Sequence, residues 1–198
     1  MKRSLGFACM VLLLAAQATA RADVIISMEQ SGPNVVGTGG GFIDTTDLTV
    51  AGTLTNSAFV WAEFPFGSTV TVGDGLRSLV AYRLITGPAS FGSGAQHFAT
   101  SGSGDVFGVI ANLQLELPSG YISGSPLVAT STWTGESFSS LGLTPGSYTW
   151  TWGTGAHADS FTLNIGAAAP VPEPSTLTMV LLGSLAGLGA RLWSRRGA

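Results

Sequence analysis

The 198-residue sequence has one cysteine, Cys9, and two histidines, His97 and His157. Cys9 sits in an apolar run near the start. The rest of the chain therefore lacks any thiol, which excludes disulfides, Cys-ligated metals and a cysteine nucleophile there. Two histidines without cysteine cannot assemble a three-His or Cys-rich zinc site. Charge is scarce as well: 10% of residues are charged, where about a quarter is usual for a soluble domain. Between residues 23 and 169 there is no lysine, and ten acids (Asp23, Glu29, Asp44, Asp47, Glu63, Asp74, Asp105, Glu116, Glu136 and Asp159) face only Arg77 and Arg83, leaving −8. Such a surface repels phosphate backbones and speaks against a nucleic-acid partner. That stretch also lacks long apolar runs, so the 45% hydrophobic content is concentrated at the two ends.

Met1-Lys2-Arg3, the apolar Leu5 to Ala16 and the small residues Ala18-Thr19-Ala20 and Ala20-Arg21-Ala22 read as the charged, apolar and cleavage regions of a secretory signal peptide. Twelve apolar residues fall short of the roughly 20 that span a bilayer. Cleavage is expected after Ala22, with Ala20 the alternative, so residues 1–22 form the signal peptide. At the other end, Thr176 to Ala190 is uncharged and mostly apolar, followed by Arg191, Trp193, Arg195 and Arg196. A transmembrane helix over about 176–193 is expected, with Arg191 snorkelling and Trp193 at the interface. Gly183 and Gly187 form a small-xxx-small pair along it. The arginines act as a membrane-stop cluster that holds the terminus in the cytoplasm, which leaves the body outside.

Just before this run stands Val171-Pro172-Glu173-Pro174-Ser175. Pro-Glu-Pro, one short span and a terminal arginine cluster, on a chain with a signal peptide, resemble the PEP-CTERM sorting signal over residues 170–198. The resemblance implies that Pro172, Glu173 and Pro174 are read by an exosortase, a membrane-embedded transpeptidase-like protease of Gram-negative bacteria. It also implies an exopolysaccharide setting, a precursor held transiently in the inner membrane with a periplasmic body, and delivery to the cell surface or extracellular matrix. Physically, two prolines fix φ and keep the segment extended beside a membrane protease, with Glu173 as a lone anionic handle; a rigid spacer would use the same residues. Thr86 to Gly92, Ser103-Gly104-Asp105, Gly120 to Gly124 and Leu141 to Gly153 are similar to stretches of family members of unknown molecular activity.

Residues 23–169 hold 23 glycines and 36 serines and threonines, a composition that opposes long helices. Apolar residues alternate with polar ones instead. Leu48, Val50 and Leu54 alternate with Asp47, Thr49 and Thr53; Val109 through Leu117 reads as one strand ending at Pro118; Phe161, Leu163 and Ile165 oppose Thr162 and Asn164. Further strands are expected over 24–28, 34–38, 58–64, 68–72, 79–85, 127–134 and 147–152, and no helical stripe longer than a turn except at Glu136 to Leu141. About ten short strands punctuated by Gly and Pro predict one all-β domain, an antiparallel β-sandwich of jelly-roll or immunoglobulin type.

Chemistry-bearing patterns are few. His157-Ala158-Asp159 offers two ligands, or a base and its orienter, and no nucleophile elbow is present. Gly37-Thr38-Gly39-Gly40-Gly41-Phe42-Ile43-Asp44 and Gly102-Ser103-Gly104-Asp105 lack phosphate-loop or calcium-repeat spacing and read as hairpin turns. Asp44, Asp47, Asp74 and Asp105 are candidates for a loop calcium; no other metal and no cofactor is expected. Tyr148, Trp150 and Trp152 share one face of one strand, either as a sugar-stacking platform or as part of the core, and Trp61 and Trp133 carry the same ambiguity. A platform requires rings that a sugar can reach. The function expected is a structural or adhesive exported protein that is not an enzyme, with a carbohydrate-binding module as the alternative.

Overall fold

Alternation and glycine punctuation order into thirteen strands in a computed structural model, which describes residues 23–166 except 64, 66 and 84. They are β1 (Asp23–Ser31), β2 (Asn34–Phe42), β3 (Thr49–Asn56), β4 (Phe59–Trp61), β5 (Thr69–Val72), β6 (Arg77–Arg83), β7 (Gln96–Phe98), β8 (Ser101–Gly104), β9 (Phe107–Ile110), β10 (Gln114–Pro118), β11 (Pro126–Trp133), β12 (Gly146–Trp152) and β13 (Asp159–Ile165). One 3-10 turn, Gly155–His157, precedes β13. Six strands form one sheet in the order β12-β13-β1-β2-β11-β8, and seven form the other in the order β3-β6-β10-β9-β5-β4-β7. Val24, Ile26, Met28, Trp133, Phe161 and Leu163 from the first sheet meet Val72, Phe107, Val109, Leu115 and Leu117 from the second in one buried core. The all-β, mostly antiparallel sandwich is therefore as expected. The jelly-roll and immunoglobulin types use seven to nine strands, whereas thirteen are present among the described residues.

Four local expectations are corrected. One pair is parallel, β1 with β13, from Asp23 opposite Ser160 to Met28 opposite Ile165. The body thus closes by docking its last strand beside its first, and Gly166 N–H donates to Met28 C=O at 3.0 Å. The stretch 109–117 is a hairpin rather than one strand. Asn112 adopts φ 54°, the left-handed conformation that Asn tolerates in tight turns, and β9 folds back on β10. The glycines at 37–41 and 102–104 lie within strands β2 and β8 rather than in turns. A Cβ on Gly39 would lie 2.7 Å from Phe107 Cζ, so the missing side chain lets an aromatic ring of the opposite sheet seat on β2. Finally, β3 is exposed along most of its length, so its alternation does not mark a core-facing strand.

The second sheet cannot be flat. β3 and β4 are five strand spacings apart in the sheet order, about 24 Å in a flat sheet. Only Ser57 and Ala58 connect them, and three Cα–Cα steps reach about 11 Å. The sheet must therefore curl until its β3 edge approaches β4. Because Val72 and Phe107 on one face pack toward β2, the curl makes the other face concave.

Candidate functional site

The concave face is built from cross-strand rows. Residues directly opposite one another share a face. The pairings Gln96–Trp61, Trp61–Thr69, Thr69–Ile110 and Ile110–Gln114 place these five side chains in one row across β7, β4, β5, β9 and β10. The next row runs Phe98, Phe59, Thr71, Gly108, Glu116 and Ala81. Curling brings Leu54, Thr55 and Asn56 of β3 over these rows, and together they line a pocket of about 330 Å³ with Phe59, Trp61, Thr69, Gln96, Ile110, Gln114 and Glu116.

Glu116 sits at the base of this pocket, 1% exposed. Asn56 Nδ2 donates to its Oε2 at 3.3 Å. Burial pushes its carboxyl above the ordinary value, and hydrogen bonds from Asn56 and Gln114 only partly offset this. Thr71 Oγ1 lies beside the carboxyl on the same row, buried but short of hydrogen-bond geometry. Among the described residues, none that lines the pocket is cationic. A buried acid without a counter-charge, flanked by amides and aromatic rings, is a departure from ordinary sheet chemistry. Reading 109–117 as one strand conceals it. The only trace in the sequence is that Glu116 stands alone between Leu115 and Leu117.

The aromatic strand behaves differently. Trp150 and Trp152 are 0% and 4% exposed, and Trp133 is also buried. Their indole N–H groups donate to Pro88 C=O at 2.8 Å, Asp44 C=O at 2.8 Å and His97 C=O at 3.0 Å. The segment 86–92 lies against β12: Thr86 and Thr151 exchange backbone hydrogen bonds of 2.9 Å, and a Cβ on Gly87 would approach Trp150 Cδ1 to 2.5 Å. Phe91 packs edge-on to Trp150 at 6.4 Å and to Tyr148 at 6.0 Å. Of the two readings of Tyr148, Trp150 and Trp152, the core describes where they sit, and no sugar can reach the two indoles. Among the described tryptophans, Trp61 is the one that lines the pocket, and it is half-buried there.

His157 and Asp159 do not pair with each other. His157 Nδ1 lies 2.8 Å from Asp44 Oδ2 at the surface, and this contact raises the imidazole above its usual value. Hydrogen bonds from the Thr46 hydroxyl, His157 and the Thr46 N–H hold the Asp44 carboxyl far below the usual range. Asp159 is buried and accepts from the N–H groups of Asp44 and Ser160, each at 2.6 Å. Burial raises its carboxyl, and the contact from Asp44 ties the β2–β3 loop to β13. Asp47 accepts from Thr154 N–H at 3.1 Å, and Asp105 from Val128 N–H at 3.2 Å. The four acids considered for calcium are thus not gathered into one set. Among the described residues no three His, Cys, Asp or Glu side chains form a group that could hold a metal.

Pro172, Glu173, Pro174 and the arginines 191, 195 and 196 lie outside the described residues, as do the expected signal peptide and the expected span. Fold and site define a mostly antiparallel β-sandwich with a pocket in the hollow of its larger sheet. Residues 170–196 match the family model of the PEP-CTERM protein-sorting motif. The chain carries this motif, which marks an exported protein sorted by an exosortase. Neither the curated proteins nor the solved structures include a significant match.

Proposed function

We propose that the protein is exported through residues 1–22, held briefly in the inner membrane by the apolar stretch near 176–193, and released by an exosortase acting at the Pro172-Glu173-Pro174 motif. Its body then serves a structural or adhesive role at the cell surface or in an exopolysaccharide matrix, without enzymatic activity. The observation that carries this reading is the position of the sorting motif: it begins at residue 170, four residues beyond Gly166, whose N–H donates to Met28 C=O in the body. A fold that secures its last strand between β12 and β1 suits a chain whose tail is cut away.

The test is Pro172→Ala with Glu173→Ala in a host that carries an exosortase. The double variant is expected to accumulate at full length in the inner membrane, because the apolar stretch persists while recognition is lost. Processing and surface delivery equal to the parent would reject the sorting role and leave these residues as a spacer. Deletion of 171–198 is expected to release the body into the periplasm. Sequencing of the mature amino-terminus is expected to begin at Asp23.

A further inference from the structure

The concave pocket is the feature that the sorting reading leaves unused. Two aromatic side chains, Phe59 and Trp61, stand on one strand of its wall, while Asn56, Gln96 and Gln114 bring three amides and Glu116 a carboxyl group to the same space. Its volume of about 330 Å³ is at the small end of ligand pockets, which run from about 300 Å³. We propose that this pocket binds a neutral pyranose sugar, stacked against Trp61 and hydrogen-bonded by Asn56, Gln96 and Gln114.

Each alternative ligand class meets a specific obstacle. An anion, such as a phosphate or a uronic acid, would face Glu116 with no lysine, arginine or histidine among the described lining residues to receive it. A purely apolar ligand would strip water from three amides without replacing their hydrogen bonds, which is costly. A cationic ligand would stack on the rings, but it requires the ionised carboxylate, and the burial of Glu116 favours the neutral form. Each amide offers both a donor and an acceptor. Vicinal hydroxyls of a sugar are donors and acceptors in the same alternation. The axial C–H face of a pyranose is apolar, and Trp61 gives it a surface of matching character.

The site is independent of the sorting signal, so its test separates from the exosortase experiment. The full chain, purified in lauryldimethylamine oxide to avoid a sugar-headed detergent, is titrated with D-glucose, D-galactose, D-mannose and N-acetyl-D-glucosamine, and in parallel with cello- and malto-oligosaccharides. Tryptophan fluorescence is the readout. At least one monosaccharide or oligosaccharide is expected to change the emission saturably; a response to oligosaccharides alone identifies a glycan rather than a free sugar as the occupant. Trp61→Phe is expected to remove the signal, while isothermal calorimetry still detects weakened binding. Gln96→Ala, at an exposed position that the fold tolerates, and Gln114→Ala are each expected to raise Kd about tenfold, as loss of one ligand hydrogen bond implies. Asp44→Asn, remote from the pocket, is expected to leave Kd unchanged. The proposal is overturned if no sugar binds, if choline or inorganic phosphate binds and sugars do not, or if sugar binding survives Gln96→Ala and Gln114→Ala unaltered.

Discussion

The two sheets share one core and treat their other faces in opposite ways. On the six-stranded sheet the outward side chains meet water: Val128 is 65% exposed, and hydroxyls pair laterally on the surface, Ser103 with Thr130 at 2.7 Å and Thr149 with Thr162 at 3.1 Å. On the seven-stranded sheet Thr69, Thr71, Ala81 and Glu116 point away from the core and are nevertheless buried. Both faces carry alternating residues, and the difference is one of curvature. A flat sheet has one interior; a curled sheet has two, and the second one encloses the pocket.

Mutations can break or sharpen this contrast. The largest effect is expected in the shared core, where both sheets depend on the same atoms. Trp133→Ala removes an indole buried against β2 and leaves His97 C=O without its donor. It should cost about 3–5 kcal/mol, read by urea denaturation. Next come two glycines of one strand with opposite surroundings. Gly39→Val would drive atoms into Phe107 and Val72 and should cost about 1–3 kcal/mol. Gly40→Ala meets only Leu127 C=O, at 3.4 Å, and should stay within about 0.5 kcal/mol of the parent.

Glu116→Gln tests the concave face itself. Because burial raises the carboxyl in the folded chain above the ordinary 4.5, the unfolded chain ionises first as pH increases. The folded state therefore loses stability from about pH 4.5 upward until its own carboxyl titrates. Glutamine removes that loss. At pH 7 the variant should melt at a higher temperature than the parent, and below pH 4.5 the difference should vanish.

The smallest effect belongs to the exposed Asp44–His157 pair. Asp44→Asn should lower the His157 pKa toward its ordinary 6.5, visible in an NMR titration of the imidazole. The sign follows from the raised folded value: the pair's contribution is complete below pH 6.5 and fades as pH rises through the folded pKa. At an exposed site it should barely move Tm.

The contrast between sheets also explains what the sequence discloses. Strands β1, β11, β12 and β13 alternate cleanly because one face is dry and the other wet, and their positions can be read from the spacing of Val24, Ile26 and Met28 or of Phe161, Leu163 and Ile165. β5 and β9 are buried on both faces, so alternation has nothing to separate there. β7 and β8 are three and four residues long, and their Gln, His, Ser and Gly carry little strand signal. Gly37 and Gly39 mimic a turn in sequence because glycine is the usual turn former; here it is required by the close approach of Trp133 and Phe107. The pocket is the least legible feature. It depends on a two-residue β3–β4 connection forcing curvature, and on Asn56 and Glu116, 60 positions apart, meeting across it. The sorting motif, by contrast, is local and can be read directly.

The curl of the seven-stranded sheet is the claim on which the pocket depends, and one distance tests it. Nitroxide labels on Thr55→Cys and Gln96→Cys, both exposed positions on the β3 and β7 edges of the sheet, placed in a full chain with Cys9→Ala, report edge-to-edge separation by electron paramagnetic resonance. Six spacings of a flat sheet would hold the labelled backbones about 29 Å apart. The account expects strong dipolar broadening from labels that border one pocket of about 330 Å³. A narrow distribution near the flat-sheet distance would contradict it.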